Sequence, residues 1–366
     1  MRVVVCGGGV IGATLAYFLS RRGVAVTLVE RTGVACAASG KSGGFLALDW
    51  CDGTPLGPLA RRSFALHAEL AAALDGDRWG YRRLATWSVR AGAGAGAGPP
   101  SPLPWLGAGV LVQGRLGTPA TTAQVDPARF TEAMLQAALA RGAALRLGRV
   151  TGIRLDPART RARGVTVDGE ELPADAVVLA MGPWTRAAAG WLPVPAVSGL
   201  KGNSILLATG DALGPDALFL ELATADGAAH APELFPRADG TTYLCGLSSA
   251  QPLPDDPAAV TPDPGAAEAL RAMAATFAPT LALAPVLAVQ ACFRPVTRDG
   301  LPLLGPVPGV AGAYLATGHG VWGILNAPAT GEAMAELVLD GATRAVDLRR
   351  FAPARLPPAS RSGYPR

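Results

Sequence analysis

An α/β fold with a central parallel sheet, accompanied by an antiparallel sheet from the middle of the chain, is predicted by three observations. The chain opens with a strand, a glycine-rich turn, a helix and a second strand. A second strand, glycine-rich turn and helix stand near its far end. Between them, short apolar stretches bounded by turn residues run from Ser198 to Gly246, a pattern that suits antiparallel pairing.

Composition sets the outer limits. The 366 residues are 50% hydrophobic and 16% charged, enough for a large core in one domain or two interleaved ones. Net charge is only +4 with no block of consecutive Lys and Arg, so nucleic acid is not expected as a partner. The abundant Gly and Pro carry little functional weight. Cys6, Cys36, Cys51, Cys245 and Cys292 are odd in number and lack CxxC spacing, so neither a metal site nor a disulfide framework is predicted. A reducing compartment follows, with the cytoplasm expected and peripheral association with an organelle left open. The apolar run from Val3 to Leu19 is interrupted by Gly7, Gly8, Gly9 and Gly12 and has no basic leader, so it does not read as a signal peptide. No transmembrane segment is predicted.

Arg2 to Cys6 reads as a buried parallel strand. Gly7-Gly8-Gly9-Val10-Ile11-Gly12 then matches G-x-G-x-x-G, Ala13 to Arg22 follows as a helix closed by Gly23, and Val24 to Val29 forms a strand ending at Glu30. Gly7 permits the tight turn, Gly9 lets a pyrophosphate reach the backbone, and Gly12 lets the helix pack on the sheet. The helix N-terminus offers free N–H groups to phosphate. Glu30 is placed to accept hydrogen bonds from an adenosine ribose and to repel a 2′-phosphate, which argues against NADP. This unit alone leaves FAD and NAD undecided.

The next segment, Ser39-Gly40-Lys41-Ser42-Gly43-Gly44, imitates the end of a nucleotide-triphosphate loop. A P-loop needs a glycine where Ala35 stands and a helix where Gly43-Gly44-Phe45 follows, so that reading fails. Its small residues suit a second close-approach loop around the dinucleotide, with Lys41 on the rim towards the substrate.

Further along, Gly92 to Pro104 is low in complexity, and residues 91–108 are expected to be a flexible insertion. Asp126 caps a helix that begins at Pro127 and runs to about Arg141. Ala144–Leu147, Thr151–Leu155 and Gly164–Val167 read as short strands, and Asp175 to Met181 reads as a strand entering a turn at Gly182. Thr261 to Phe277 reads as a helix beside the antiparallel sheet.

The far end carries Arg294-Pro295-Val296-Thr297-Arg298-Asp299-Gly300-Leu301-Pro302-Leu303-Leu304-Gly305, then Gly318-His319-Gly320 and Gly323-Ile324-Leu325-Asn326-Ala327-Pro328-Ala329-Thr330-Gly331. An enzyme using NAD alone does not need this second unit. A flavin does, because N–H groups at that helix N-terminus stabilise negative charge on its pyrimidine edge as it is reduced.

With Gly7 to Gly12 and Glu30, these motifs resemble the D-amino acid oxidase/glycine oxidase/sarcosine oxidase superfamily of FAD enzymes. The likeness runs from residue 1 to about residue 341, and looks closest to a little-characterised eukaryotic branch of oxidoreductases. It implies a Rossmann-like FAD-binding domain (residues 1–50, 125–200 and 290–345) interleaved with an α+β substrate domain on an antiparallel sheet (51–90 and 201–289), and a C-terminal tail from 346 to 366.

The resemblance also implies a site. FAD is expected against Gly7, Gly9, Val10, Ile11, Gly12, Glu30, Arg31, Ala38, Ser39, Gly40, Lys41, Gly43, Gly182, Gly318, Gly320, Gly323 and Ile324. Arg294 falls where glycine oxidase-like members hold the substrate carboxylate, for which guanidinium supplies a two-donor fork. The competing reading pairs Arg294 with Asp299. Glu233 falls where those enzymes place a substrate-contacting tyrosine, and is either an ammonium-binding acid or a solvated strand residue. Cys292 aligns with the cysteine that tethers FAD in sarcosine oxidases, but noncovalent FAD is expected. Lys201 does not fall at the oxygen-activating lysine of that group, so either O2 or another acceptor is compatible. His319 is expected to support the glycine-rich turn.

The activity implied is oxidation of the C–N bond of an amino acid or N-substituted glycine, by hydride transfer to flavin N5 and hydrolysis of the imine. Oxidation of a 2-hydroxy acid, or a flavin-bound assembly or trafficking role, are the alternatives on the same scaffold.

Overall fold

The computed structural model describes residues 1–92, 101–224 and 227–359. The strand Arg2–Cys6 lies inside a six-stranded sheet between Ala25–Glu30 and Ala176–Leu179, with Ala144–Leu147 and Ala313–Thr317 outside these and Leu303–Pro306 at one edge. All neighbours run parallel except the last pair. Valine-rich strands suit this position because both faces are covered. Val3 and Val5 pack into one core while Val4 and Cys6 pack into another.

The first face carries the helices Val10–Ser20, Pro127–Leu139 and Gly323–Asp340. The opposite face carries an antiparallel three-stranded sheet, Val150–Leu155, Ala162–Val167 and Glu170–Pro173. Asp126 accepts a hydrogen bond from the Arg129 N–H at 2.9 Å, the predicted cap.

The first and last helices touch through their backbones. A Cβ at Gly331 would come within 2.8 Å of the Thr14 carbonyl carbon, and the Thr14 hydroxyl donates to the Ala327 carbonyl at 3.1 Å. The two helices therefore start side by side on the same edge of the sheet.

Pro328 sits inside the last helix and has no N–H to give the Ile324 carbonyl. The helix Gly57–Leu74 repairs the gap: His67 Nε2 lies 3.0 Å from the Ile324 oxygen and 3.2 Å from the Leu325 oxygen. The Ser63 hydroxyl accepts from the Ala329 N–H at 3.1 Å.

The second large sheet has eight strands, seven in the order Val286–Val296, Ser198–Ala208, Thr241–Ser249, Glu233–Pro236, Ala217–Ala223, Thr86–Gly92 and Leu111–Gly117. The eighth, Ala229–His230, pairs beside Ala217–Ala223. Its leucine face meets the helix Ala266–Phe277. That helix begins after Gly265, later than the sequence pattern suggested, because Pro262 and Pro264 interrupt the preceding turn.

Two expectations change. Residues 93–100 of the predicted insertion lie outside the described residues, but the rest of it is packed rather than free. Leu103 is buried in the sheet–helix core with Trp105 and Leu106 against it, and the Gly107 N–H donates to the Phe277 carbonyl at 2.8 Å. The C-terminal stretch is likewise anchored as far as it is described. Phe351 is 1% exposed, and the Ala359 N–H donates to the Val194 carbonyl at 2.9 Å.

Candidate active site

A cavity of about 1410 Å³ runs between the two sheets. That exceeds the volume of an ordinary small-molecule site, ~300–1,000 Å³, and suits a dinucleotide together with a small substrate.

One end is made of backbone. Gly7 has φ of +115°, and a Cβ there would sit 2.4 Å from the Ala180 carbonyl oxygen. At Gly12 a Cβ would meet the Gly7 carbonyl oxygen at 1.9 Å. Gly7, Gly9, Val10 and Ile11 line the cavity, whereas Gly12 lies under the turn and sets the helix-to-strand distance. The Glu30 carboxylate accepts from the N–H groups of Gly8 at 2.6 Å, Thr32 at 2.8 Å and Gly33 at 3.3 Å. These contacts fix the carboxylate at the end of its strand, facing the cavity.

The Ser39–Gly44 loop forms the adjoining wall. Ser39 Oγ accepts from the Val10 N–H at 2.9 Å, joining the loop to the start of the first helix. Ala38, Ser39, Lys41 and Gly43 line the cavity. Gly40 does not, and it tightens the loop instead: a Cβ there would lie 2.1 Å from the Ala35 carbonyl oxygen. From the other side, the Tyr243 hydroxyl donates to the Lys41 carbonyl at 3.2 Å and Arg237 to the Ser42 carbonyl at 3.1 Å. Backbone atoms, not the Lys41 ammonium, are what the substrate-side sheet grips.

Gly320, Gly323 and Ile324 line the cavity from the far motif, and Gly182 lines it from the turn after Ala176–Leu179. Gly318 supports them from outside, with φ of +82° and no room for a Cβ beside Thr297. His319 is buried with Nε2 at 3.1 Å from the Thr330 hydroxyl, and burial holds its imidazole down to about 3. It is a neutral brace. Arg31 lines the cavity and is also tied to the 253–256 segment, donating to the Asp255 carbonyl. Arg186 pairs with the Asp255 carboxylate at 2.9 Å, and Trp184 Nε1 donates to the Pro254 carbonyl at 2.8 Å. This segment closes one side of the dinucleotide end.

The opposite end is made of side chains from the eight-stranded sheet. Phe219, Glu233 and Cys245 are direct cross-strand partners and so form one row on one face. Phe235 and Tyr243 form the next row. Arg294 joins from the edge strand: its guanidinium crosses Gly202, where a Cβ would be 3.4 Å from a terminal nitrogen, and donates to the Ser248 hydroxyl. Asp299, the rival partner, is held by Arg355 at 2.7 Å. Arg294 Nε is buried without a hydrogen-bond partner, and among the described residues no carboxylate pairs with this guanidinium.

Burial raises the proton affinity of Glu233, opposed by the positive charge of Arg294. Burial also pushes up Tyr243, Cys245 and Cys292, keeping them protonated. Lys201 lies away from the cavity, buried in an ion pair with Asp263.

Sequence reasoning missed the aromatic wall over this floor. Phe45, Trp50, Phe219 and Trp322 are half-buried at the cavity, with Phe45–Phe219 at 5.0 Å, Trp50–Phe219 at 4.8 Å and Trp50–Trp322 at 6.4 Å between ring centres. They come from three separate regions of the chain, so no local pattern announces them. Gly202 was equally hidden, although a glycine inside an alternating strand is a mark of close approach.

The chain matches the DAO family, FAD dependent oxidoreductase, over residues 2–337. It belongs to that family. Among curated relatives of this DAO-family chain, the C1F5.03c protein of Schizosaccharomyces pombe is 32% identical over 94% of this chain and 96% of its own length. A glycine oxidase of Pseudomonas aeruginosa is 31% identical over 96% of this chain and 98% of its own. The crystal structure of glycine oxidase from Geobacillus kaustophilus superposes with a TM-score of 0.78 at 27% identity, covering 97% of this chain and 99% of that one.

The residues present fit FAD. Gly9 leaves the turn open to the cavity, the Glu30 carboxylate is fixed at the end of its strand facing the cavity, and two helices begin side by side at the cavity wall. The protein is an FAD-dependent oxidoreductase.

Proposed function

We propose that this oxidoreductase oxidises the C–N bond of a small amine bearing a carboxylate, an amino acid or an N-substituted glycine. The observation that carries this reading is the state of Arg294. Its guanidinium lines the cavity, no carboxylate among the described residues forms an ion pair with it, and its Nε–H is buried and unpaired. A half-buried cation in that condition is stabilised by an incoming anion, and a carboxylate matches the fork. The glycine oxidases among the relatives, named for an amino acid substrate, support the same class.

FAD, when bound, supplies the two-electron acceptor. The chain's own residues do the positioning. Arg294 and Ser248 fix the carboxylate end, Glu233 offers the second charge on the floor, and the aromatic wall excludes water from the reacting carbon. The N-termini of the first and last helices put positive dipole ends at the cavity. Gly7, Gly9, Glu30, Arg31, Ser39 and Gly323, with their neighbours, would hold the cofactor. Cys292 would leave it noncovalent, since burial keeps that thiol protonated and a thiol is a poor nucleophile.

The test is Arg294→Leu. Flavin content should stay at one per chain while kcat/KM falls about 10²–10³-fold, the cost of leaving a substrate charge unpaired. Loss of flavin in that variant, or unchanged turnover, would remove the carboxylate assignment.

A further inference from the structure

We propose that Glu233 accepts the proton that a substrate's ammonium group loses before oxidation, so that the site takes amino acids as zwitterions. This rests on the amine reading above and adds a catalytic residue to it. In water near neutral pH an amino acid is almost wholly zwitterionic, and an ammonium nitrogen has no lone pair with which to assist departure of the neighbouring hydride. An enzyme without an internal acceptor must wait for the rare neutral amine.

The geometry places one acceptor on the floor. Glu233 stands in the row Phe219–Glu233–Cys245, on the same cavity floor as Arg294. Among the described residues its carboxylate receives a single hydrogen bond, a long one from the Cys245 thiol at 3.8 Å, and no cation pairs with it. A carboxylate held this way, beside a guanidinium that also lacks an acid, brackets a ligand carrying both charges.

The other ionisable groups around it are disqualified one by one. Tyr243, Cys245 and Cys292 are kept protonated by burial. His319 lines the cavity, but its Nε2 is engaged by the Thr330 hydroxyl and burial holds its imidazole down to about 3. Glu30 is occupied by three backbone N–H groups, and Asp255 by Arg186. Lys41, Arg31, Arg149, Arg186 and Arg294 line the cavity as cations with no acceptor to offer. Burial raises the Cys36 thiol in the same way, which leaves His230, on the short strand Ala229–His230, as the rival among the described lining residues.

The electrostatics favour the transfer in both directions. Burial raises the proton affinity of Glu233. An ammonium brought beside Arg294 and a helix N-terminus loses proton affinity, because like charge disfavours the charged form. The step is a plain proton transfer: the N–H bond breaks, its electron pair stays on nitrogen, and an O–H bond forms on the carboxylate. Nothing is oxidised in it.

The test uses the FAD-loaded protein and two probes that it cannot oxidise. 2-Aminoisobutyrate carries an ammonium but no α-hydrogen; pivalate has the same shape without the amine. Binding is read from the shift of the flavin absorption band across about pH 6 to 9. In the native protein both probes should bind with affinities that change little. In Glu233→Gln, pivalate should bind as before, while 2-aminoisobutyrate should bind poorly at the acid end and gain about tenfold per pH unit. Glu233→Asp should restore the flat profile, and Glu233→Tyr, the second variant should the first lose its flavin, should show the slope. A native profile in Glu233→Gln, or the slope appearing in His230→Gln instead, would overturn the proposal. Failure of the native protein to bind either probe would overturn the carboxylate-bearing substrate itself, and this inference with it.

Discussion

The two ends of the cavity are built from different materials. The dinucleotide end is backbone, shaped by Gly7, Gly12 and Gly40, where a single methyl would collide with a carbonyl oxygen at 2.4, 1.9 and 2.1 Å. The substrate end is side chains, with Arg294, Glu233, Phe219 and Tyr243 contributed by four strands of one sheet. Backbone that must approach a phosphate tolerates little change, because every nearby atom is already in place. A floor of side chains can exchange one charge or ring for another without disturbing the sheet beneath.

That contrast can be broken most severely at Gly12. Gly12→Val should abolish flavin retention and most of the folded yield, read by absorbance and gel filtration, because the branched side chain must displace the Gly7 carbonyl. Gly202→Val should act on the other end only. Crowding the Arg294 guanidinium should weaken pivalate binding about 10- to 100-fold with flavin content unchanged, roughly the 1.5–3 kcal/mol worth of a hydrogen bond to a charged group. If Gly202→Val also empties the protein of flavin, the two ends are not separable in the way described.

Acid should strike the scaffold that both ends share. Burial holds His67 down to about 4 and His319 to about 3, below the ordinary histidine value of about 6.5. The unfolded chain therefore binds more protons in that window. The stability these groups contribute is complete above about pH 6.5 and is lost as pH falls towards the folded values. Melting temperature should drop steadily across that range, and His67→Gln should flatten part of the drop. Ser63→Ala should cost about 0.5–1.5 kcal/mol in denaturant unfolding, since the Ala329 N–H loses the buried hydroxyl that accepts from it. Lys41→Ala should have the smallest effect, leaving flavin content unchanged, because Tyr243 and Arg237 hold this loop by its carbonyls.

The same contrast explains what could be read from the chain. Gly7 to Gly12 and Gly318 to Gly331 are each a contiguous stretch, and Gly7, Gly12, Gly318 and Gly331 stand where a turn or a close approach demands a glycine. The parallel sheet and the antiparallel one were legible from valine-rich runs and alternation. The Ser39–Gly44 loop could be read as a close-approach loop, yet the part played by its carbonyls depended on Tyr243 and Arg237, some two hundred positions on. The aromatic wall and the Gly202 crossing were out of reach for the same reason. Leu103 was misjudged, as part of an expected flexible insertion, because a repetitive stretch says nothing about the apolar surface waiting for it. Arg294 could be placed by its motif, but its freedom became visible only once Asp299 was seen bound to Arg355.

We propose that Arg294, paired with no carboxylate among the described residues, selects a carboxylate-bearing amine. Anaerobic mixing of the FAD-loaded protein with D-amino acids, sarcosine and 2-hydroxy acids in turn, beside the same series on Arg294→Leu, tests it directly. At least one amine should bleach the oxidised flavin band in the native protein and fail to do so at a comparable rate in the variant. Bleaching by a 2-hydroxy acid alone, by nothing in the series, or equally in both proteins would contradict it.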